Sequence, residues 1–337
     1  MDFNEDTIEG YNKSIHKRDN QILIKEKDDE LEKINIKRID DITIIGKGSV
    51  TFDALRLISD NNIPLMSIDY FGKINYILEY PKYENIFLRK KQYEFSENHH
   101  GLAISREIIR AKLLNQRFTI RTLNKSKNIE DVKFYENKIN ESVKSLDKLR
   151  FGPNVNVSNA KNKIMGIEGN ASTYYWMAIS EILPDEVKFY QRVNRFPDDI
   201  TNAMLNYGYA ILASEVTKHL VLNRLDPYCG FLHFDRDRRT SLTFDLIEEF
   251  IQQLVDKVVF SLINTGQITN DDLDKRNDSI SLEKRKLIIA KILDKVNSKI
   301  NFEGENLTYG EIIDKQAQKI VNSLVNDKEY SGFYLRW

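Results

Sequence analysis

The chain has 337 residues, 41% of them hydrophobic, and its 50 lysines and arginines nearly balance 51 aspartates and glutamates. This length predicts two domains at roughly 150 residues each. Because the net charge is close to zero, it does not attract nucleic acid, and any basic surface must be local. Cys229 is the single cysteine, which excludes an internal disulfide and a thiolate zinc site. A polar N-terminus and short apolar runs predict a cytoplasmic protein without a membrane span.

Residues 1–83 are predicted to form a small, mostly β domain. One amphipathic helix is expected over 51–61, with apolar positions at Phe52, Leu55 and Ile58. The GKGS sequence at 46–49 lacks the spacing of a phosphate-binding loop and is predicted to be a strand-to-helix turn. Four apolar runs between turn residues read as strands. They are QILIK (21–25), ITIIG (42–46), IPLMSID (63–69) and KINYIL (73–78).

Residues 84–337 are predicted to form a larger, all-helical domain, which makes the fold class α+β. Nearly every segment has 3.6-residue periodicity, and the loops are rich in Asn, Asp, Gly and Pro. One helix carries arginines spaced 4-7-4, which places them on one side, where they could follow DNA phosphates without reading bases. A solvated helix face is the alternative. These residues are Arg106, Arg110, Arg117 and Arg121.

Residues 229–250, CGFLHFDRDRRTSLTFDLIEEF, combine one imidazole with several carboxylates. A long helix is predicted after an N-cap at 241 or 243. At about 100° per residue, Glu248 lies on the edge of its apolar stripe, Asp245 lies further out, and Glu249 points to solvent. His233 ends an apolar segment, where it is either a core residue or a metal ligand. Because the acids Asp245 and Glu248 follow closely in the sequence, we keep the hypothesis that His233 is a metal ligand.

Another carboxylate, Glu168, lies in a helical segment between Gly166 and Gly169. Glycine weakens a helix by about 1 kcal/mol relative to alanine, so this pair suggests close approach of another backbone or of a substrate. Glu168 shares a helix face with Tyr175, and an acid and a phenol on one face suit contact with phosphate, although a tyrosine can also fill the helix interface. Spacing alone does not join Glu168 to His233.

Three motifs in order give the chain a family resemblance. They are GIEG (166–169) with a tyrosine seven residues after its glutamate, PDDITNAMLNYGYAILASEV (197–216) and LDPYCGFLHFDRDRRTSLTFDLIEEF (225–250). This combination resembles the CRISPR-associated adaptation integrases, the Cas-one (Cas1) family. The resemblance extends over nearly the whole chain, including the β domain and FLRKKQYEF at 87–95.

The resemblance implies a metal-dependent DNA endonuclease and integrase that inserts new spacers into CRISPR arrays. The family's metal ligands fall on Glu168, His233 and Glu248, with Asp245 as an additional catalytic acid and Tyr175 as a DNA contact. Carboxylate and neutral imidazole ligands suit Mg²⁺ or Mn²⁺. A DNA 3′-hydroxyl would attack a phosphodiester in a transesterification.

The partners implied are double-stranded DNA, as spacer precursor and CRISPR repeat, a small ferredoxin-like adaptation protein, and a second copy of the chain. A homodimer joined through the β domain is expected, since that small sheet cannot bury both faces alone. The chain departs from the family at Ile251 and Gln252, where an arginine and a proline are usual, and its first 20 residues look like an extension ahead of the first strand. A phosphodiesterase that cuts without joining, and a non-catalytic DNA-binding scaffold, are the alternatives.

Overall fold

The computed structural model describes residues 5–27, 29–39, 41–68, 74–78, 86–187, 189–194, 197–234, 239–274 and 279–335. The chain divides into two compact units, Met1–Glu84 and Asn85–Trp337, and each has a hydrophobic core of its own. The α+β class predicted from the sequence is confirmed, with a strand-rich N-terminal region followed by a mostly helical part.

A six-stranded sheet forms the N-terminal unit. Its strands are β1 (Glu5–Arg18), β2 (Gln21–Glu26), β3 (Asp29–Asn35), β4 (Asp41–Val50), β5 (Leu65–Ile68) and β6 (Ile74–Leu78). Their order across the sheet is β3-β2-β1-β4-β5-β6, and β4 runs parallel to both β1 and β5. Helix α1 (Phe52–Asp60) makes the crossover that the parallel pair β4 and β5 requires.

Three predictions for this unit are wrong. Residues 5–18 of the predicted N-terminal extension form β1, which pairs with both β2 and β4 and lies inside the sheet. Residues 46–49 belong to β4 rather than to a turn. Helix α1 itself is confirmed, with Ile58 buried and Leu55 packed against the core, but Phe52, its first residue, is 89% exposed instead of part of the apolar face.

The C-terminal unit is mostly helical, and its longer helices meet in one core. Its helices are α2 (Ile86–Ser96), α3 (His99–Lys127), α4 (Glu130–Asp147), α5 (Val157–Ile182), α6 (Ile200–Leu222), α7 (Ser241–Leu246), α8 (Lys257–Asn264), α9 (Leu282–Val296) and α10 (Tyr309–Asn326). Side-chain caps fix where the two central helices begin: Asn98 accepts a hydrogen bond from the backbone of His100, and Asn156 accepts one from Asn159.

Two short antiparallel ribbons in this unit were not predicted. They pair β7 (Leu273–Asp274) with β8 (Ser279–Ile280), and β9 (Lys299–Phe302) with β10 (Glu305–Thr308). The unit is therefore mostly, rather than entirely, helical. Among the helices that the structure describes, none has both the length and the apolar character needed to cross a bilayer.

The stretch from Ser241 to Asn264 is irregular, where the sequence predicts one long helix. Helix α7 gives way to a 3₁₀ turn at Ile247–Glu249 and a π-helical turn at Gln252–Asp256 before α8 begins. The N-cap is Thr240 rather than residue 241 or 243. Because 3₁₀ and π turns depart from 3.6 residues per turn, side chains after Leu246 leave the positions of a regular helical wheel.

Candidate functional site

Glu168 lies in the middle of α5 and faces α3. Its Oε1 accepts hydrogen bonds from Ser172 Oγ at 2.7 Å and from Lys112 Nζ at 2.6 Å. Ser172 lies one helical turn further along α5, so the i, i+4 spacing places its hydroxyl beside the carboxylate. Gln116 of α3 in turn donates to Ser172 Oγ at 3.0 Å. This chain of hydrogen bonds fixes the orientation of the Glu168 carboxylate.

Glu248 is the middle residue of the 3₁₀ turn that follows α7. Its Oε2 lies 2.7 Å from Lys112 Nζ, so Glu168 and Glu248 meet at a single ammonium group. This oxygen is buried, and the Lys112 ammonium is the positive group placed against it. A buried carboxylate oxygen whose charge is balanced by a neighbouring cation is well suited to bind a metal ion in place of that cation.

Asp245 holds His233 in place. Asp245 is fully buried in α7, and its Oδ1 lies 2.7 Å from His233 Nδ1 and accepts the His233 backbone N–H at 3.0 Å. Its Oδ2 accepts the backbone N–H groups of Phe231 and Leu232, at 2.5 and 2.9 Å. Because Nδ1 is used in this contact, Nε2 is the imidazole nitrogen that could bind a cation. Asp245 thus orients His233 in this structure, and its role as a catalytic acid stays a prediction.

Lys112 is a part of the site that the sequence analysis missed. It projects from the buried face of α3, which also carries Ile108, Gln116 and Thr119, and its side chain is 11% exposed. A lysine on such a face signals a buried ion pair, since an unpaired ammonium is costly to remove from water. That signal was present in the sequence.

Electrostatic effects link the members of the site. Burial tends to raise the pKa of Glu168, but the Lys112 ammonium, the Ser172 hydroxyl and the charge of His233 lower it below its ordinary value. Burial tends to lower the pKa of His233, but Asp245 and then Glu248 raise it. Burial likewise opposes the charge of Lys112, yet the two glutamates hold its pKa above the ordinary value. The three residues predicted as ligands therefore lie within electrostatic reach of one another.

Glu168, Glu248 and His233 are suitable ligands for a divalent cation, and the Lys112 ammonium lies between the two glutamates. The Lys112 ammonium represents a cation that binds one oxygen of Glu168 and one of Glu248, at 2.6 and 2.7 Å. Within the described part of the chain, no three carboxylate, imidazole or thiol groups are arranged to hold a metal ion in this state. Glu168, Glu248 and His233 could hold Mg²⁺ or Mn²⁺ once the ammonium has moved.

Tyr175 does not reach a DNA-binding surface. It is fully buried, and its hydroxyl donates to Asp256 Oδ2 at 2.7 Å, while the Tyr209 hydroxyl donates to Asp256 Oδ1 at 2.7 Å. The predicted DNA contact is wrong, because this tyrosine instead fixes the π-helical turn to α5. Burial raises the pKa of Asp256 to about 6, although both phenols favour its ionised form.

Glu249 is buried, so the prediction that it is solvated is wrong. Its carboxylate accepts hydrogen bonds from the Tyr330 hydroxyl, the Phe333 backbone N–H and the Gln316 amide, at 2.7, 2.7 and 2.9 Å. The chain from 330 to 335 thus lies across the outer side of the 3₁₀ turn. A Cβ at Gly332 would lie 2.9 Å from Glu249 Oε1 and 2.8 Å from a backbone oxygen of α3, so only glycine allows this approach.

Three of the four arginines of the predicted DNA stripe pair with carboxylates on α4. The pairs are Arg110–Asp147, Arg117–Glu136 and Arg121–Glu136. Arg106 donates instead to the backbone carbonyl of Leu149, at 3.0 Å. These contacts join α3 to the α4 region, and a DNA phosphate would have to replace them. Contact between these arginines and DNA stays a prediction.

Replacing Asp245 with asparagine is expected to weaken Mn²⁺ binding by about 10- to 100-fold. The amide keeps the shape of the side chain, but its nitrogen cannot accept the backbone and imidazole N–H groups that Asp245 binds. Calorimetric titration with Mn²⁺ measures the change. Asp294→Asn, at a position exposed on α9, is the control, and unchanged affinity in Asp245→Asn would contradict the positioning role.

Comparison with known proteins identifies relatives along almost the full length. The model of the CRISPR associated protein Cas1 family matches residues 7–296. CRISPR-associated protein Cas1 3 of Methanobrevibacter ruminantium is 72% identical over 330 residues, covering 98% of this chain and 99% of that protein. CRISPR-associated endonuclease Cas1 1 of Archaeoglobus fulgidus is 35% identical over 344 residues, covering 98% and 99%.

A solved structure shares the fold. It is a casposase bound to integration product, and it superimposes with a TM-score of 0.75 at 24% identity, covering 97% of this chain and 92% of that chain. At this identity the likeness concerns the fold alone.

Proposed function

Because this chain belongs to the CRISPR-associated Cas1 family, we propose that it is a metal-dependent DNA endonuclease and integrase that adds spacers to CRISPR arrays. In the proposed reaction, the 3′-hydroxyl of a spacer precursor attacks a phosphodiester at the edge of a repeat. One phosphorus–oxygen bond forms as another breaks, and the cut strand leaves with its own 3′-hydroxyl. Because one phosphodiester bond replaces another, the reaction needs no nucleoside triphosphate as an energy source.

The convergence of Glu168 and Glu248 on one cation carries this proposal. The two carboxylates come from α5 and from the 3₁₀ turn after α7, and both lie within 2.7 Å of the same nitrogen. Together with His233 they would hold Mg²⁺ or Mn²⁺, which would lower the pKa of the attacking hydroxyl and stabilise charge on the phosphoryl oxygens. Asp245 would keep the imidazole aimed at the ion, and Ser172 would keep Glu168 oriented.

The helix surface at the two glycines beside Glu168 is open. A Cβ built at Gly166 or Gly169 would meet no atom within 4 Å, so a neighbouring protein backbone does not explain these two glycines. We propose that they leave clearance for the substrate.

Gly169→Ala is accordingly expected to raise the free energy of unfolding by roughly 0.5–1 kcal/mol, because alanine favours the helix, and yet to slow integration. Urea unfolding and an integration assay measure the two effects. A variant that is stabilised and fully active would rule out the clearance role.

The proposed partners are a DNA duplex as spacer precursor, the CRISPR repeat, a small ferredoxin-like adaptation protein and a second copy of this chain. The 4-7-4 arginines on α3 are proposed to contact phosphates after exchanging their α4 partners. Light scattering at micromolar concentration tests the homodimer, and a monomeric mass would contradict it.

The direct test is integration of a short duplex with free 3′-hydroxyls into a plasmid that carries the repeat, with and without Mg²⁺ or Mn²⁺. We expect covalent joining only when a divalent ion is present and Glu168 is intact. Cutting without joining would indicate a plain phosphodiesterase, and DNA binding without either reaction would indicate a scaffold. Either outcome would replace the integrase assignment.

A further inference from the structure

We propose that Lys112 is a resident counter-ion of the Glu168–Glu248 pair, and that a divalent metal binds by displacing its ammonium group. This inference rests on the metal site of the proposed function. It adds a residue from a third element, α3, that decides how readily the site accepts an ion.

The position of the ammonium carries the inference. It lies 2.6 Å from Glu168 Oε1 and 2.7 Å from Glu248 Oε2, so it occupies the space between the two oxygens. Mg²⁺ binds oxygens at about 2.0–2.1 Å. A divalent ion at that distance from both oxygens would therefore take the place of the ammonium. Two cations cannot share this position, because they repel each other in a largely buried site.

The lysine also explains how the two carboxylates can lie close together. The side chains of Glu168 and Glu248 are only 22% and 15% exposed, and two unpaired carboxylates this close would repel each other. Lys112 extends from the buried face of helix α3, so a regular helix, and not a loop, positions its ammonium beside both carboxylates. The site is thus prepared for a cation, but an incoming metal must first break two short ion pairs.

Lys112→Met tests this, since methionine keeps most of the buried volume and removes the charge. Mn²⁺ titration of the full-length chain by calorimetry at pH 8 should show binding at least about tenfold tighter than wild type, which corresponds to roughly 1.4 kcal/mol. The metal-free variant should melt at a lower temperature. The matched control is Lys315→Met on α10, which removes an ion pair with exposed Glu305 of β10. This variant should bind Mn²⁺ as the wild type does.

Unchanged Mn²⁺ affinity in Lys112→Met would overturn the inference, because the lysine would then not compete with the metal. Weaker affinity would overturn it as well, because the lysine would then assist metal binding. Either result would leave the metal site standing. Wild type that binds no more Mn²⁺ than Glu168→Ala would instead overturn the metal site, and the inference with it.

A second measurement uses the wild-type protein, so it tests the inference even if Lys112→Met does not fold. Acylation of lysines followed by mass spectrometry should modify Lys112 slowly without metal and faster with saturating Mn²⁺, because the displaced ammonium loses both carboxylate partners. Lys138, which pairs with exposed Glu141, should react equally in both conditions. An unchanged rate at Lys112 would overturn the inference.

Discussion

Alanine at Glu168, His233 or Glu248 is expected to reduce integration by roughly three orders of magnitude or more, while the protein still folds and binds DNA. Each change removes one of the groups proposed to hold the metal. None belongs to the 4-7-4 arginines, so DNA affinity should be kept. Integration into the repeat-bearing plasmid and DNA binding by fluorescence anisotropy measure the two effects separately.

The Mn²⁺-induced shift in melting temperature gives a second readout of the same prediction. Wild type should be stabilised by Mn²⁺ through binding to the folded state, and each alanine variant should show a much smaller shift. Glu305→Ala, an exposed carboxylate on β10, is the control. Glu249 cannot serve as the control because it is buried. Equal shifts in all variants would contradict the assignment of the ligands.

Glu249→Ala is expected to lower the free energy of unfolding by roughly 2–4 kcal/mol. The change leaves the Tyr330 hydroxyl, the Phe333 backbone N–H and the Gln316 amide without their shared acceptor. It also releases the chain at 330–335 from the 3₁₀ turn that carries Glu248. Urea unfolding at pH 7 measures the loss, and a loss below about 0.5 kcal/mol, typical of surface positions, would contradict it.

The same residue predicts a pH dependence of stability. Burial raises the pKa of Glu249 to about 8, despite three hydrogen-bond donors that favour the carboxylate. Between the unfolded value near 4.5 and about 8, the folded state keeps a proton that the unfolded state has lost, so stability falls as pH rises. The contribution reaches about 1.4 kcal/mol per pH unit. Glu249→Gln should show a shallower fall between pH 5.5 and 7.5, and an unchanged profile would contradict the raised pKa.

Sequence motifs, and not periodicity, supplied the candidate ligand residues. The ordered motifs placed Glu168, His233 and Glu248 together, whereas spacing alone gave no reason to join α5 to the turn after α7. Periodicity did predict four of the six strands of the sheet. It missed β1 and β3, since their charged residues hide the alternation of a strand.

The errors at the site have physical causes. Glu249 was placed in solvent because a regular helix was assumed, while the backbone changes to 3₁₀ and then π geometry. The segment that buries it comes from 84 residues further along the chain, a distance that no local pattern reports. Lys112 was overlooked because α3 was interpreted through its arginines, which lie on the opposite side of the helix.

The anchoring of residues 330–335 on Glu249 has a consequence for synthesis. A ribosome adds about 5–20 residues per second, so the 84 residues between Glu249 and Phe333 take roughly 4–17 s to translate. During that time a nascent chain already contains Glu168, His233 and Glu248, but the turn that holds Glu248 lacks its outer support. In a partly made chain the proposed metal site is therefore expected to be incomplete until translation has passed Phe333.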